Sequence, residues 1–216
     1  MQFSDIIIKT VVSLPFEENT YIVHLKGNAE CFVVDPGTEP DKIVKTLDRE
    51  KLVPQGILVT HGHGDHIAGN AALKERWPDC VLYVGEDDAE KLSDPVKNLS
   101  APFGMAMTSP PADKLLRHGD ILSSARISVE ARHVPGHSVG HFVFLIKAEP
   151  RSMVFVGDTV FRQGIGRGDF PGGNSKLLVQ KIRSEILTLP DDTVLFSGHG
   201  DETTVGAEKR DNGFLK

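Results

Sequence analysis

Apolar residues recur along this chain with two different periods, and the switches between them outline the fold. Residues 6–12 are β-branched and apolar, which predicts a first strand. Glu17-Glu18-Asn19-Thr20 reads as a turn before a strand at 21–23, and Lys26-Gly27-Asn28 as a hairpin-type turn into a strand at 31–34. Asp35-Pro36-Gly37 stops that strand. Ile43, Val44 and Leu47 then take up helical spacing over 41–47, with Pro40 where a first helical turn tolerates it. A strand at 56–60, a helix-like run at 67–77 closed by Pro78, a strand at 81–84 and a short helix at 86–92 follow.

The second half is richer in strands, at 127–131, 142–146, 152–156 and 194–196. One helix is predicted over 175–187, with Leu177, Leu178, Ile182 and Ile186 on one stripe. Between the halves, residues 94–113 hold Pro95, Pro102, Pro110, Pro111, Gly104 and two methionines. An irregular stretch of that length is either a lid or substrate-facing loop, or a surface excursion without a role. No linker-like or low-complexity segment divides the chain, so one domain over 1–216 is expected.

Composition narrows the class without changing that outline. The charged fraction is ordinary and the net charge is −6, with no basic block or aromatic-basic interleaving, so no nucleic-acid surface is expected. No run of 18 apolar residues could span a membrane. The N-terminus lacks the basic region and cleavage site of a signal peptide, and a cytoplasmic location is the default expectation. Cys31 and Cys80 show no C-x-x-C pattern and are expected as buried free thiols.

The candidate chemistry is concentrated in Thr60-His61-Gly62-His63-Gly64-Asp65-His66. Three imidazoles and a carboxylate in six residues are hard to reconcile with packing, because such groups are costly to bury unless paired or bound to metal. Four predicted strands end in a motif, at Asp35, Thr60, Gly157 and Ser197, and strand ends can converge on one rim. The candidate ligands collected there are His61, His63, Asp65, His66, His137, Asp158 and His199. Five nitrogens and two carboxylates exceed one four-coordinate zinc and suit two metals with a carboxylate bridge. A donor set rich in nitrogen and free of thiolate favours zinc, iron or manganese over magnesium or calcium. Such a pair makes a hydroxide nucleophile near neutral pH and polarises a carbonyl, which implies hydrolysis of an acyl or phosphoryl bond. Its formal charge of about +2 would draw an anionic substrate. Of the remaining histidines, His24 reads as a strand residue and His118 as part of a hairpin turn. His133 and His141 flank His137 and are candidates to fix a ligand's tautomer.

These stretches resemble the metallo-β-lactamase superfamily. Its H-x-H-x-D-H element is matched by His61, His63, Asp65 and His66, and its G-H-x-x-G-H turn by Gly136-His137-Ser138-Val139-Gly140-His141. Gly157-Asp158-Thr159, Gly198-His199 and Val34-Asp35-Pro36-Gly37 match further family elements in order. The resemblance implies a four-layer αβ/βα sandwich, two packed sheets with helices outside and the metals at one rim. It implies that His61, His63 and His137 hold one divalent ion, that Asp65, His66 and His199 hold a second, and that Asp158 bridges, with zinc the expected metal and iron or manganese the alternatives. Asp65 and Asp158 would then act in catalysis, and Asp35 would support the loop. Within the superfamily the stretch 157–167 and the tail 198–208 look like the single-domain glyoxalase II group, the hydroxyacylglutathione hydrolases, without the helical C-terminal domain of the larger enzymes. The implied function is hydrolysis of small acyl-thioesters of the S-lactoylglutathione type by a metal-bound hydroxide, with Arg167 placed to bind an anionic end. One rival is a mononuclear-iron persulfide dioxygenase on His61, His137 and Asp158, suggested by Gly166-Arg167-Gly168-Asp169-Phe170; His141 stands where that branch usually carries cysteine. The other is a non-catalytic metal-binding protein, which would need a missing ligand.

Overall fold

The computed structural model describes all 216 residues. Six strands form the first sheet in the order of the sequence: β1 (Ile6–Ser13), β2 (Glu18–Leu25), β3 (Glu30–Val34), β4 (Val53–Leu58), β5 (Val81–Gly85) and β6 (Lys114–Leu116). The first three pair antiparallel through tight turns, and the last four run parallel because longer connections return each chain end to the same side. The second sheet contains β7 (Ile121–Ser124), β8 (Ile127–His133), β9 (Phe142–Ile146), β10 (Met153–Gly157), β13 (Val194–Ser197) and β14 (Thr203–Thr204), in the order β14-β13-β10-β9-β8-β7. A two-stranded ribbon, β11 (Val160–Phe161) with β12 (Gly164–Ile165), lies between β10 and β13 in sequence.

Alternation along each strand sorts side chains into three apolar layers. Phe32 and Val34 of β3 join Tyr21, Val23 and Leu58 against Val129, Phe144, Met153 and Phe155 of the facing sheet. Cys31 and Val33 point the other way, onto Ile43 and Leu47 of α1 (Pro40–Glu50) and Leu73 of α3 (Asn70–Arg76). Outside the second sheet, Val143, Leu145, Val154 and Leu195 pack on Leu178 of α4 (Ser175–Lys181), on Ile182 and Ile186 beyond it, and on Val205 of α5 (Val205–Asp211). Helix, sheet, sheet and helix therefore stack as the expected four-layer sandwich. Both cysteines are buried free thiols in the first helix-side layer.

Several local expectations are corrected. Residues 18–20 are strand and not turn: Ser13 pairs with Glu18, Val12 with Asn19 and Val11 with Thr20, and the chain reverses over residues 14–17 instead. Their polarity is spent inside the molecule, beneath the ligand cluster, so it does not mark solvent. The run at 67–77 is divided into α2 (Gly64–Ile67) and α3, because the Gly69 N–H leaves the helix to donate to the Pro36 carbonyl at 2.8 Å. The strand expected at 56–60 ends at Leu58. His118 lies between strands of different sheets, so its turn is a crossing and not a hairpin. The helix at 175–187 widens to a π-type turn from Ile182 to Ile186. No helix is long and apolar enough to cross a membrane.

Candidate metal centre

The chain reaches one rim of the sandwich five times. Asp35 follows β3, and His61 to His66 follow β4 and open α2. His137 lies in the turn between β8 and β9, while Asp158 and His199 follow β10 and β13, the parallel pair of the second sheet. All seven predicted ligands meet there. His61, His63 and His137 bring one nitrogen each within 4.8 Å of one another, and so do the ligand atoms of Asp65, His66 and His199, and of His61, His66 and Asp158. Separations among them include 2.9 Å (His61 Nε2 to His63 Nδ1) and 3.7 Å (His66 Nε2 to Asp65 Oδ2). Ligands 2.0–2.1 Å from a tetrahedral zinc stand roughly 3.3 Å apart, so the spacing matches a shared cation.

The tautomers make the case chemically. The His61 Nδ1 faces the Thr60 hydroxyl at 3.0 Å, and that hydroxyl donates to Asp35 Oδ2 at 2.6 Å, so it must accept from the imidazole. The His66 Nδ1 faces Asp35 Oδ2 at 3.0 Å, the His137 Nδ1 the Arg167 carbonyl at 2.9 Å, and the His199 Nδ1 the Phe16 carbonyl at 2.9 Å. Each outer nitrogen therefore carries the proton, and four Nε2 lone pairs point inward. Lone pairs cannot satisfy one another. His63 Nδ1 stands within 3.1 Å of two of them and can donate to only one. His66 Nε2 and Asp158 Oδ1 are buried with no hydrogen-bond partner at all. A cluster of acceptors around orphaned atoms fits metal cations.

Electrostatics divides the cluster into two halves. Burial pushes His61 and His63 well below the ordinary histidine range, aided by neighbouring imidazoles, and lowers His137 as well. Those three imidazoles are neutral, the form that can coordinate a metal. In the other half, burial opposes charge, yet Asp65, Asp158 and Asp35 lift His66 well above its usual range, so its Nε2 lone pair takes a proton unless a metal cation takes it instead. Burial likewise resists ionisation of Asp65, but the neighbouring His66 and His199 hold its carboxyl well below the usual range. This half demands a positive charge. Asp158 lies between them, its Oδ1 3.5 Å from His66 Nε2 and its Oδ2 3.6 Å from both His137 Nε2 and His199 Nε2.

Supporting groups surround the ligands. Asp35, in left-handed backbone at φ 47°, which Asp tolerates better than most residues, also accepts from the Thr60 N–H at 2.7 Å. His141 stacks on His61 and takes the Asp158 N–H at 3.2 Å. His133 binds the Val139 carbonyl and so holds the His137 turn. Gly157 sits at φ 49°, where a Cβ would strike the Thr60 hydroxyl and approach His141 Nε2 to 2.8 Å; Gly198 leaves no room for a Cβ beside Asp158. Arg167 reaches the wall of the cavity above the site, but its guanidinium forms a two-pronged pair with Asp169 at 2.7 and 2.8 Å.

Sequence reasoning missed two buried carboxyls. Glu18 is fully buried and burial raises its carboxyl well above the usual range. Asp88, fully buried, accepts from the Gly62 N–H at 2.8 Å, the Gly140 N–H at 3.0 Å and the Ser138 hydroxyl at 2.6 Å, and pairs with Lys91 at 3.0 Å. Glu86-Asp87-Asp88 reads as an acidic, solvated helix start, and no local signal marks its third member as internal. Residues 94–113 face the site: Asn98, Leu99, Ser100, Phe103 and Met107 line the cavity, and the Gly64 N–H donates to the Asn98 carbonyl at 2.9 Å.

Comparison with known proteins agrees with this geometry. The family model for the Metallo-beta-lactamase superfamily matches residues 14–199. The chain is 36% identical over 202 residues to the probable metallo-hydrolase YqgX of Bacillus subtilis, covering 93% of each. It is 34% identical to the hydroxyacylglutathione hydrolase GloC of Haemophilus influenzae, over 96% of this chain and 97% of that one. Among solved structures, BLEG-1 B3 metallo-beta-lactamase superposes with a TM-score of 0.92 at 34% identity, over 97% of this chain and 100% of that one. TTHA1623 in a di-iron-bound form gives 0.82 at 34% identity, over 96% and 100%.

Proposed function

The chain belongs to the metallo-beta-lactamase superfamily and is a metal-dependent hydrolase with a histidine-rich binuclear site, and from that premise we propose that it hydrolyses small acyl-thioesters of the S-lactoylglutathione type. The observation that carries this reading is Asp158, whose carboxylate stands between two complete ligand sets. His61, His63 and His137 would hold one divalent ion and Asp65, His66 and His199 the other, and zinc suits the donors. The di-iron-bound form of TTHA1623 makes iron the occupant to test against it. When bound, two such ions would supply a water nucleophile at neutral pH and polarisation of the acyl oxygen.

The chain's own part is to fix the ligands and shape the cavity. The outward Nδ1–H bonds of His61, His66, His137 and His199 hold their rings in one orientation, so nothing has to reorganise during reaction. Asp65, open to the cavity, is placed to orient the attacking water. The leaving group needs no proton donor, because a thiolate departs near its pKa of about 8.5. An amide nitrogen would need one. The likeness to BLEG-1 favours a second reading, β-lactam hydrolysis, yet no Asp, Glu, His or Lys outside the proposed ligands lines the cavity to supply that proton. GloC, named for hydroxyacylglutathione hydrolysis, supports the thioester.

The test is metal content of the purified protein together with a panel of S-lactoylglutathione, other small thioesters, a β-lactam and a persulfide. Two metals per chain and selective thioester turnover are expected. One iron per chain with oxygen uptake on the persulfide would replace this reading with the dioxygenase, and metal without any turnover would leave a binding protein.

A further inference from the structure

The cavity over the candidate metal centre measures about 250 Å³, and its walls carry a substrate preference of their own. Six side chains other than the ligands dominate it: Phe16, Leu99, Phe103, Met107, Phe161 and Phe170. Phe16 and Phe103 meet edge to face at 5.5 Å across its rim. Phe170 stands edge-on to His63 at 5.6 Å, so an aromatic wall reaches down to the ligands. The one cation in the lining is Arg167. Its guanidinium lies 4.1 Å over the Phe170 ring and is paired with Asp169, so its charge is already opposed and its flat face covers an apolar one.

A glutathione thioester presents charged ends that want free donors, and this cavity presents rings and a thioether instead. Its volume also falls short of the roughly 300–1,000 Å³ that encloses a drug-sized ligand. Only one arm of a thioester fits inside, and the arm that gains by entering is apolar. Resting on the thioesterase reading above, we infer that the physiological substrates carry a small apolar or aromatic arm, acyl or thiol, seated among Phe16, Leu99, Phe103, Met107, Phe161 and Phe170, with any charged portion left at the rim beside Arg167.

Two measurements test this on the metal-loaded protein. The first compares kcat/KM along an acyl series from acetyl to hexanoyl on N-acetylcysteamine, and along a thiol series from methyl to phenethyl with acetyl fixed. Burial of one methylene corresponds to about a fourfold gain, so at least one series should climb about fourfold per carbon until the cavity is full. The second measures binding of two non-hydrolysable thioethers of N-acetylcysteamine, S-phenethyl and S-methyl, by calorimetry. The S-phenethyl compound should bind at least tenfold more tightly, and Phe103→Ala, at a residue 62% exposed and therefore safe to truncate, should remove most of that margin at unchanged metal content. Both series flat, with S-lactoylglutathione preferred, would overturn the inference while leaving the thioesterase reading intact. Absence of turnover with a retained S-phenethyl preference would do the reverse. Equal binding of the two thioethers overturns the inference whatever the turnover.

Discussion

Replacing Asp88 by alanine should damage the metal centre without touching a ligand. The carboxylate ties together the two turns that carry the first trio: Gly62 lies between His61 and His63, and Ser138 and Gly140 follow His137. Alanine leaves the Gly62 and Gly140 N–H groups without acceptors and strands the Lys91 ammonium, whose side chain is only 11% exposed. Breaking a buried pair by removing one partner costs about 3–5 kcal/mol, chiefly through the charge left behind. The two orphaned N–H groups would each cost about 1–3 kcal/mol alone, and the terms overlap. Taking about 3–5 kcal/mol in all, a protein of this size should melt about 6–20 °C lower. Urea unfolding of the metal-depleted variant reads the stability, and metal titration reads the ligand geometry, which should weaken for the first trio. Asp88→Ala combined with Lys91→Met removes the stranded cation and should recover about half the loss. A loss under about 1 kcal/mol for the single variant, or no recovery in the double one, would refute the reasoning.

Three further outcomes follow from other contacts. Asp158→Ala should abolish binding of a second metal, leaving at most one ion per chain by mass spectrometry; two retained ions would remove Asp158 from the bridge. Arg167→Ala should change the KM for S-lactoylglutathione less than about threefold, whereas Asp169→Ala should lower it by freeing the guanidinium, an effect that fades with added salt because the pair is exposed. Glu130 is held below its ordinary 4.5 mainly by a hydrogen bond from Lys147, against a burial penalty and with help from Arg132. Its folded-state value is depressed, so its contribution is complete above about pH 4.5 and disappears as pH falls through the lower folded value. Glu130→Gln should thus cost about 0.5–1 kcal/mol at pH 7 and progressively less as pH falls below about 4.5, measured by urea unfolding across that range; a cost that does not shrink on acidification would contradict the linkage.

The candidate ligand cluster was readable in the residues because chemistry limits what His-x-His-x-Asp-His can do: closely spaced imidazoles and carboxylates after an apolar strand have few stable environments other than a metal. The layer structure was an expectation of the resemblance, and the residues agree with it. Cys31-Phe32-Val33-Val34 is apolar at every position, and only a strand covered on both faces suits such a run. What misled was polarity without context. Glu17-Glu18-Asn19-Thr20 carries turn-forming residues, yet three of them are strand, because the rim of the sheet must supply hydrogen bonds under the site: Asn19 donates to the Ser197 and Gly200 carbonyls. Asp88 is the third of three consecutive acids, and nothing local marks it as internal.

Sequence alone therefore determined which residues are candidates to coordinate and where most strands and helices fall, since both are local properties of residue type and period. Tertiary structure decided which nitrogen of each histidine faces inward, because that depends on Asp35, Phe16 and Arg167, up to 183 residues from the rings they hold. It also decided that Asp158 lies between two ligand sets, that Arg167 is opposed by Asp169, and that the loop at 94–113 turns its apolar side chains over the centre. Those facts arise only where strand ends from two sheets meet at one rim, and no period in the chain records that meeting.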